Sequence, residues 1–181
     1  AFQFFDSQNA RGKALYPHDL LKAYHLREMY DISEDETEKI VKGWEQVSQS
    51  GLDDFFGNYL YRIKEWVSGN KANVLNEHNI HMFKGITRSA RTPYAQFYKS
   101  AYCYADMLNS SAMPFVSGTR NVNAFQLNTP IIAGKPFFEY TKHYYNILKD
   151  IQNNNKYEGF YINDNIIVKT LDRHFKRGKG N

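Results

Sequence analysis

The feature that most constrains this chain is the helical spacing of its aromatic residues. Large apolar side chains recur at intervals of three and four residues, which places them on one side of an α-helix. Two such stripes consist of Leu52, Phe55, Phe56, Tyr59, Leu60, Ile63 and Trp66, and of Phe137, Phe138, Thr141, Tyr144, Tyr145 and Leu148. Both are typical of helices that face a core. The sequence therefore predicts an all-α fold, an irregular bundle of about seven or eight helices.

Four helix starts have a chemical signature. Ser33 and Glu36 form a capping-box pattern, which opens a helix expected to end near Gly51. Thr92 precedes Pro93, so an N-cap is followed by proline at the first helical position. Pro17 and Pro136 indicate two further starts. The helix from Pro93 is expected to carry Tyr94, Phe97, Tyr98, Ala101, Ala105 and Leu108 on one side.

The segment between Asn109 and Lys135 lacks a helical pattern. Ser, Asn, Gly and Pro are frequent there, so it is predicted to be one long ordered connector, or a connector that holds a short helix near residues 122–127. The tail at 157–181 is predicted to contain a short helix at Ile166–Phe175 and to serve as a linker. The 181 residues suit a single helical domain, with a helical core at 31–156.

The bulk composition favours a reducing compartment. Cys103 is the one cysteine, so no internal disulfide can form. No stretch approaches the roughly 20 apolar residues that cross a bilayer, so a cytoplasmic chain with no membrane partner is expected. The chain opens without Met, inside the apolar run Ala1–Phe5. We expect a cut from a larger protein, with a processed natural terminus as the alternative.

Charge is distributed unevenly along the chain. Residues 1–60 hold 6 Lys/Arg and 11 Asp/Glu (6 − 11 = −5), whereas residues 61–181 hold 17 and 8 (17 − 8 = +9). A basic segment can face DNA, bind acidic proteins or serve solubility. The candidate DNA contacts are Lys142, Lys149, Lys169, Arg173, Lys176 and Arg177. The last of these residues could equally belong to a linker that leads into another domain.

A glycine-containing turn near the start could hold phosphate. Asn9 can cap a helix that ends there, and Gly12 can adopt a positive φ. Arg11 and Lys13 would then lie near the N-terminus of the helix that begins at Pro17, where anions bind readily. The alternative is an ordinary corner between two helices, with both cations in solvent.

This segment also resembles a known family. Phe5, Asn9, Arg11, Gly12, Leu15, Asp19, Leu20 and Lys22 are similar to the F-x-x-x-N-x-R-G-x-x-L-x-x-x-D-L-x-K segment of the domain of unknown function 262 family. The resemblance is tight over residues 2–26. It implies a ParB/sulfiredoxin-like first domain with a D-G-Q-Q-R signature and nucleotide-hydrolysing activity. It also implies kinship with GmrSD-like restriction proteins that attack modified DNA, many with a C-terminal HNH nuclease.

The departures from that family define what this chain would contribute. Neither D-G-Q-Q-R nor an HNH constellation occurs here. By resemblance, residues 1–30 correspond to the end of the first domain, and Asn9, Arg11, Gly12 and Lys13 border its nucleotide pocket. An NTP and a divalent metal would belong to the intact protein, and no cofactor is expected in this chain.

No complete catalytic set is evident from the sequence. His78 and His81 are one helical turn apart, but no third metal ligand accompanies them, so an ordinary surface helix is expected. Cys103 is expected to be a buried, inert thiol. The tyrosines are expected to pack in the core, although they could stack on bases. No catalytic residue and no metal site are therefore assigned.

Two functions are favoured, because a third, that the chain is an enzyme by itself, lacks a recognisable nucleophile, base and orienting group. The first is a noncatalytic helical domain of a restriction-like, DNA-targeting defence protein, which couples a nucleotide-hydrolysing module to a nuclease or binds DNA. The second is a helical protein-interaction or dimerisation module with no nucleic-acid role. The expected partners are DNA, other domains of the same polypeptide, and a second copy of the chain.

Overall fold

The structure is a computed structural model that describes residues 15–109 and 125–154, together with the backbone at 156–157 and 160–161. Five helices account for most of these residues. They are α1 (Pro17–Arg27), α2 (Glu34–Glu45), α3 (Gln49–Asp54, Phe55–Leu60 and Tyr61–Val67 in succession), α4 (Pro93–Asn109) and α5 (Lys135–Asn154). A one-turn 3-10 helix covers Ile80–Phe83, and two short antiparallel strands, β1 (Lys156–Tyr157) and β2 (Phe160–Tyr161), follow α5.

The all-α class is confirmed, whereas the described residues do not support the predicted number of helices. The described residues contain five, whereas the sequence predicted seven or eight. Described residues 125–134 of the predicted connector are turns and one bridge, while residues 110–124 and the predicted helix at Ile166–Phe175 lie outside the described residues. No helix in the described part of the chain has the length and apolar character needed to span a bilayer.

The predicted helix starts are largely correct. The backbone N–H of Glu36 donates to Ser33 Oγ at 3.3 Å, and that of Ala95 donates to Thr92 Oγ1 at 3.2 Å. The Glu36 carboxylate does not complete the capping box. It pairs instead with Lys135 Nζ at 2.6 Å, which ties α2 to the start of α5.

The helix that starts at Ser33 ends earlier than expected. It stops at Glu45 rather than near Gly51, because Ser48 caps a new helix. The hydroxyl of Ser48 accepts from the backbone N–H of Gly51 at 3.1 Å. Ser48, an N-cap residue type in the middle of an apolar pattern, is the sequence feature that indicates the boundary between α2 and α3.

The middle of α3 is a π-helix. Phe55, Phe56 and Leu60 within it, and Tyr61 directly after it, are all buried. Leu60 follows Phe55 by five residues, and Tyr61 follows Phe56 by five. This spacing matches the wider turn of a π-helix, so both pairs can lie on the same side. This local widening supplies four large side chains to the core from about one turn and a half.

The core is a continuous aromatic cluster. The Phe56 ring centroid lies 5.7 Å from that of Trp44, 5.5 Å from that of Phe83 and 6.2 Å from that of Phe137. These rings come from α3, α2, the 3-10 turn and α5. The packing of apolar faces from separate helices therefore fixes the bundle, as the predicted stripes indicated.

A buried histidine joins α1 to two loops. Nε2 of His25 donates to the carbonyl oxygen of Phe83 at 3.0 Å, and Nδ1 accepts from the backbone N–H of Gly134 at 3.1 Å. The ring stacks on Phe137, with 3.6 Å between the centroids. Beside it, Ile86 and Ile132 form an isolated parallel bridge. These contacts position the loops that flank α4 and α5.

Candidate functional site

Most of the residues predicted to bind nucleotide or DNA lie outside the described residues. This applies to Asn9, Arg11, Gly12, Lys13, Lys169, Arg173, Lys176 and Arg177. Lys142 and Lys149 lie on α5, seven residues apart and therefore on the same side of the helix. Lys142 is exposed, while Nζ of Lys149 lies 5.3 Å from the Tyr145 ring centroid.

The described helices do not carry the positive charge of the chain. Residues 15–109 and 125–154 contain 14 Lys/Arg and 15 Asp/Glu, a net charge of 14 − 15 = −1. The whole chain has 23 Lys/Arg and 19 Asp/Glu, so the residues outside these ranges hold 9 Lys/Arg and 4 Asp/Glu, a net charge of +5. Of the net charge of +9 at residues 61–181, the described residues carry 10 − 5 = +5, and the acidic residues at 15–60 offset this charge within the described bundle.

A cluster of cations at the start of α4 was not recognised from the sequence. Nζ of Lys99 donates to the carbonyl oxygens of Arg88 at 2.8 Å and Ala90 at 2.7 Å, and Nη1 of Arg91 donates to the carbonyl oxygen of Arg88 at 2.9 Å. Burial, followed by repulsion from Arg91 and Arg88, lowers the pKa of Lys99. The cluster holds the loop before α4 and concentrates positive charge there.

Carboxylates in the turn that follows α1 offset part of this charge. The Arg88 guanidinium pairs with Asp31, and the backbone N–H of Arg88 donates to Glu28 Oε2 at 2.9 Å. Among the described residues, neither Arg91 nor Lys99 forms an ion pair with a carboxylate. The cluster is thus an anchored loop with an excess of positive charge.

The clearest surface feature is an exposed aromatic side of α4. Tyr94, Phe97 and Tyr104 are 59%, 67% and 62% exposed. Ala101 is also exposed, and Leu108 is partly buried. We name the surface of Tyr94, Phe97, Ala101, Tyr104 and Leu108 the α4 face. The expectation that the tyrosines pack in the core is therefore wrong for Tyr94 and Tyr104.

An adjoining side of α4 packs inward. Ala95 and Ala105 are buried there, and Tyr98 and Tyr102 are partly buried. Two small residues let the helix approach the bundle closely, which turns the larger side chains of the α4 face outward. Cys103 is exposed as well, so the expectation of a buried thiol is wrong.

A cleft runs along the α4 face. It has a volume of about 330 Å³ and lies between α4, the segment at 125–132 and the start of α5. Phe97, Ala101 and Tyr104 contribute to both the cleft and the α4 face. The rest of its wall is mostly aromatic or aliphatic and includes Tyr98, Tyr102, Phe125, Pro130, Ile131, Ile132 and Tyr140. This composition suits apolar side chains of a partner.

Polar groups beneath the cleft hold its wall in place. The Tyr102 hydroxyl donates to the Glu139 carboxylate, which also lies 3.6 Å from Lys135 Nζ. Burial, reinforced by Glu139, raises the pKa of Tyr102. Burial also raises the pKa of Tyr140. Both phenols therefore stay protonated, and the Tyr102 hydroxyl acts as a fixed donor between α4 and α5.

Lys64 supports the other side of the cleft. Its buried ammonium donates to the carbonyl oxygen of Leu127 at 3.0 Å and lies 5.6 Å from the Tyr140 ring centroid. Burial lowers the pKa of Lys64. The contact attaches the turn at 125–130 to α3, so this cation has a structural explanation.

The remaining histidines do not form a metal site within the described residues, where no cluster of three potential ligands occurs. His78 and His81 lie in a turn and the 3-10 helix rather than in the expected surface α-helix. His81 Nδ1 is 3.2 Å from the carbonyl oxygen of His78. His18 is buried, with Nε2 2.5 Å from Gln49 Oε1.

Comparisons with known proteins assign the chain to a family but do not assign it an activity. A model for a family of unknown function (DUF7834) matches residues 36–180. No curated protein and no solved structure matches the chain. The segment at 2–26 that resembles the domain of unknown function 262 family lies outside the matched range, so that resemblance stays a prediction.

Proposed function

The chain belongs to this family of unknown function, and we propose from its geometry that it is a noncatalytic helical interaction module of a larger protein, which docks through the α4 face. The observation that carries the proposal is the exposure of Tyr94, Phe97 and Tyr104 on one side of α4. The module would recognise an apolar surface of its partner.

Burial of these rings on docking would provide the free energy of association. An aromatic side chain can bury about 150–250 Å², at roughly 25 cal/mol per Å² of apolar area. Large exposed apolar patches in soluble proteins usually mark interaction sites. Because the small residues Ala95 and Ala105 already fix the inward side of α4, the exposed rings are presented on a supported helix.

Paired lysine substitutions test whether the α4 face is a docking surface or part of the fold. Phe97→Lys with Tyr104→Lys adds two charges to exposed positions. Gln96→Lys with Cys103→Lys adds the same charge on exposed neighbouring positions outside the α4 face. We expect urea denaturation of the 181-residue chain to give free energies of unfolding within about 0.5 kcal/mol of the wild type for both variants.

A fluorescent dye that binds apolar surface gives a second readout. At a protein concentration where the chain is monomeric, we expect the wild type and Q96K/C103K to bind bis-ANS. We expect F97K/Y104K to lose most of the signal. A loss of stability above about 3 kcal/mol in F97K/Y104K, but not in its control, would show that these rings belong to the core and would overturn the proposal.

The DNA-targeting role is the second candidate. Here the chain would be part of a restriction-like defence protein in the cytoplasm, and the NTP and divalent metal would be bound by other parts of that protein. Two observations favour it: the cation cluster of Arg88, Arg91 and Lys99, and the net charge of +5 outside the described residues. Lys142 and Lys149 could add contacts from α5.

Charge reversal separates this candidate from a purely protein-binding role. We expect Lys142, Lys149, Lys169 and Arg173 changed together to Glu to weaken duplex DNA binding and to reduce its salt dependence, because fewer counterions are released. Lys39→Glu with Lys71→Glu, at exposed positions elsewhere, is the control. Fluorescence anisotropy over a salt series measures both effects. Unchanged affinity and salt slope in the fourfold variant would refute the DNA-facing role.

A further inference from the structure

We infer that the partner of the α4 face is a second copy of this chain, whose α4 packs antiparallel across a two-fold axis at Ala101. The inference rests on the proposed docking role of the α4 face and names its occupant. It follows from the spacing, the symmetry and the charge of residues on α4.

The spacing of the α4 face matches a helix–helix seam. Its residues follow one another at intervals of three, four, three and four, from Tyr94 through Phe97, Ala101 and Tyr104 to Leu108. That alternation keeps a narrow apolar stripe in register with another α-helix over four turns. A loop or a sheet edge would not require it.

The order of side-chain sizes is self-complementary. Ala101 is the smallest residue of the α4 face and occupies its centre, with two large residues on each side. A two-fold axis brings the same residue of both copies together, so a small side chain at the axis allows close approach. Large residues then fill the space towards each end, with Tyr94 of one copy near Leu108 of the other.

Charges are absent from the positions that flank this seam. Tyr98 and Ala105 flank it on the bundle side, Ser100 and Met107 flank it on the exposed side, and none of the four is an acidic or basic residue. Lys99 and Asp106 lie on the far side of α4 from the seam, and Nζ of Lys99 is directed to the loop carbonyls. Two identical helices can therefore meet without like-charge repulsion. A strongly acidic or basic partner would find no complementary charge beside the seam.

Sedimentation equilibrium of the 181-residue chain tests whether this dimer forms. We expect a monomer–dimer equilibrium with a dissociation constant on the order of micromolar, since one helix pair forms a small interface. F97K/Y104K should weaken association by about 100-fold or more, because both anchors are lost. Q96K/C103K should dimerise like the wild type.

Cysteine cross-linking tests the antiparallel geometry. In a Cys103→Ser background, Ala101→Cys places two thiols at the axis, where a disulfide can form under mild oxidation. Tyr94 lies seven helical residues from the axis in each copy, so Tyr94→Cys places the two thiols about 20 Å apart. We therefore expect A101C/C103S to cross-link and Y94C/C103S not to. In a parallel pair both would cross-link.

The outcomes separate this inference from the proposed function. A chain that stays monomeric up to about 200 µM, or that dimerises equally well with F97K/Y104K, overturns the inference. Cross-linking of Y94C/C103S as efficient as that of A101C/C103S also overturns the antiparallel arrangement. A monomer whose F97K/Y104K variant keeps its stability but loses the dye signal leaves the docking role in place with another partner.

Discussion

Acidification should destabilise this protein through His25. The ring is fully buried, and burial is the main cause that lowers its pKa from 6.5 to about 3. Lys84 lowers the pKa further by repulsion, whereas the hydrogen bond to Phe83 opposes the shift. Because Nδ1 accepts from the backbone N–H of Gly134, the folded protein holds the neutral ring with its proton on Nε2.

The size of the effect follows from the difference in pKa between the two states. Between pH 6.5 and pH 3 the unfolded chain binds a proton at His25 and the folded chain does not, so the free energy of unfolding falls as the pH is lowered. At 1.36 kcal/mol per pKa unit, the loss from this residue is about 2 kcal/mol at pH 5 and approaches about 5 kcal/mol near pH 3.

Urea denaturation at pH 7 and pH 5 measures this loss, and His25→Gln isolates it. The variant carries no titrating ring, so its stability should fall by about 2 kcal/mol less than that of the wild type over the same interval. The glutamine variant should be less stable than the wild type at pH 7, because the ring stacked on Phe137 is removed.

Proton NMR of the wild type provides a measurement that does not depend on the variant. The His25 ring resonances should not shift between pH 7 and pH 5. A titration midpoint near 6.5 in the folded protein would refute the reasoning, as would an equal pH dependence in the wild type and His25→Gln. In either case the ring would be accessible to water or paired with a carboxylate.

Three further predictions concern stability and are checked by thermal or urea denaturation. Gly85→Ala should destabilise the protein by about 2–4 kcal/mol, because φ is +68° and a Cβ would overlap the carbonyl oxygen of Ile131. Gly43→Ala is the contrast: it lies in α2 with nothing within 4 Å of the added Cβ, so a gain of about 0.5–1 kcal/mol is expected. Ser33→Ala should cost about 1 kcal/mol, because the N–H of Glu36 loses its acceptor. Equal effects of the two glycine substitutions, or no effect at Ser33, would contradict these accounts.

Local chemistry made the helix starts predictable. Ser33, Thr92 and Pro17 each satisfy or remove a backbone donor in the first turn, and this depends only on neighbours in sequence. The start of α3 at Ser48 follows the same rule, although the apolar pattern across it suggested one longer helix. The sequence could not predict that Glu36 leaves the capping box of Ser33 incomplete. Its carboxylate pairs with Lys135 on α5, which is distant in the sequence.

The candidate site was harder to predict because periodicity does not state which side of a helix faces the core. α4 has apolar residues on two sides. The sequence pattern grouped Tyr94 and Phe97 with Ala105 on one side, although Ala105 alone of these three is buried. Close packing favoured the side with Ala95 and Ala105, since small residues allow the helix to approach its neighbours. Likewise, the His25 contacts join residues 58 and 109 positions apart, beyond any local pattern.

The two candidate functions are compatible if α4 pairs as inferred. The cation cluster lies at the start of α4, with Arg91 ten residues before Ala101. In an antiparallel pair the helical rise over eight residues on each side of Ala101 places the two copies of Pro93 about 24 Å apart, and Arg91 lies two residues further out in the loop. Successive major grooves on one side of a DNA duplex are about 34 Å apart. Dimerisation would thus present two cationic loops at a spacing that a duplex can contact, even though the described bundle has a net charge of −1. Self-association could then supply the geometry for DNA binding, and the remaining positive charge of the chain could supply its strength.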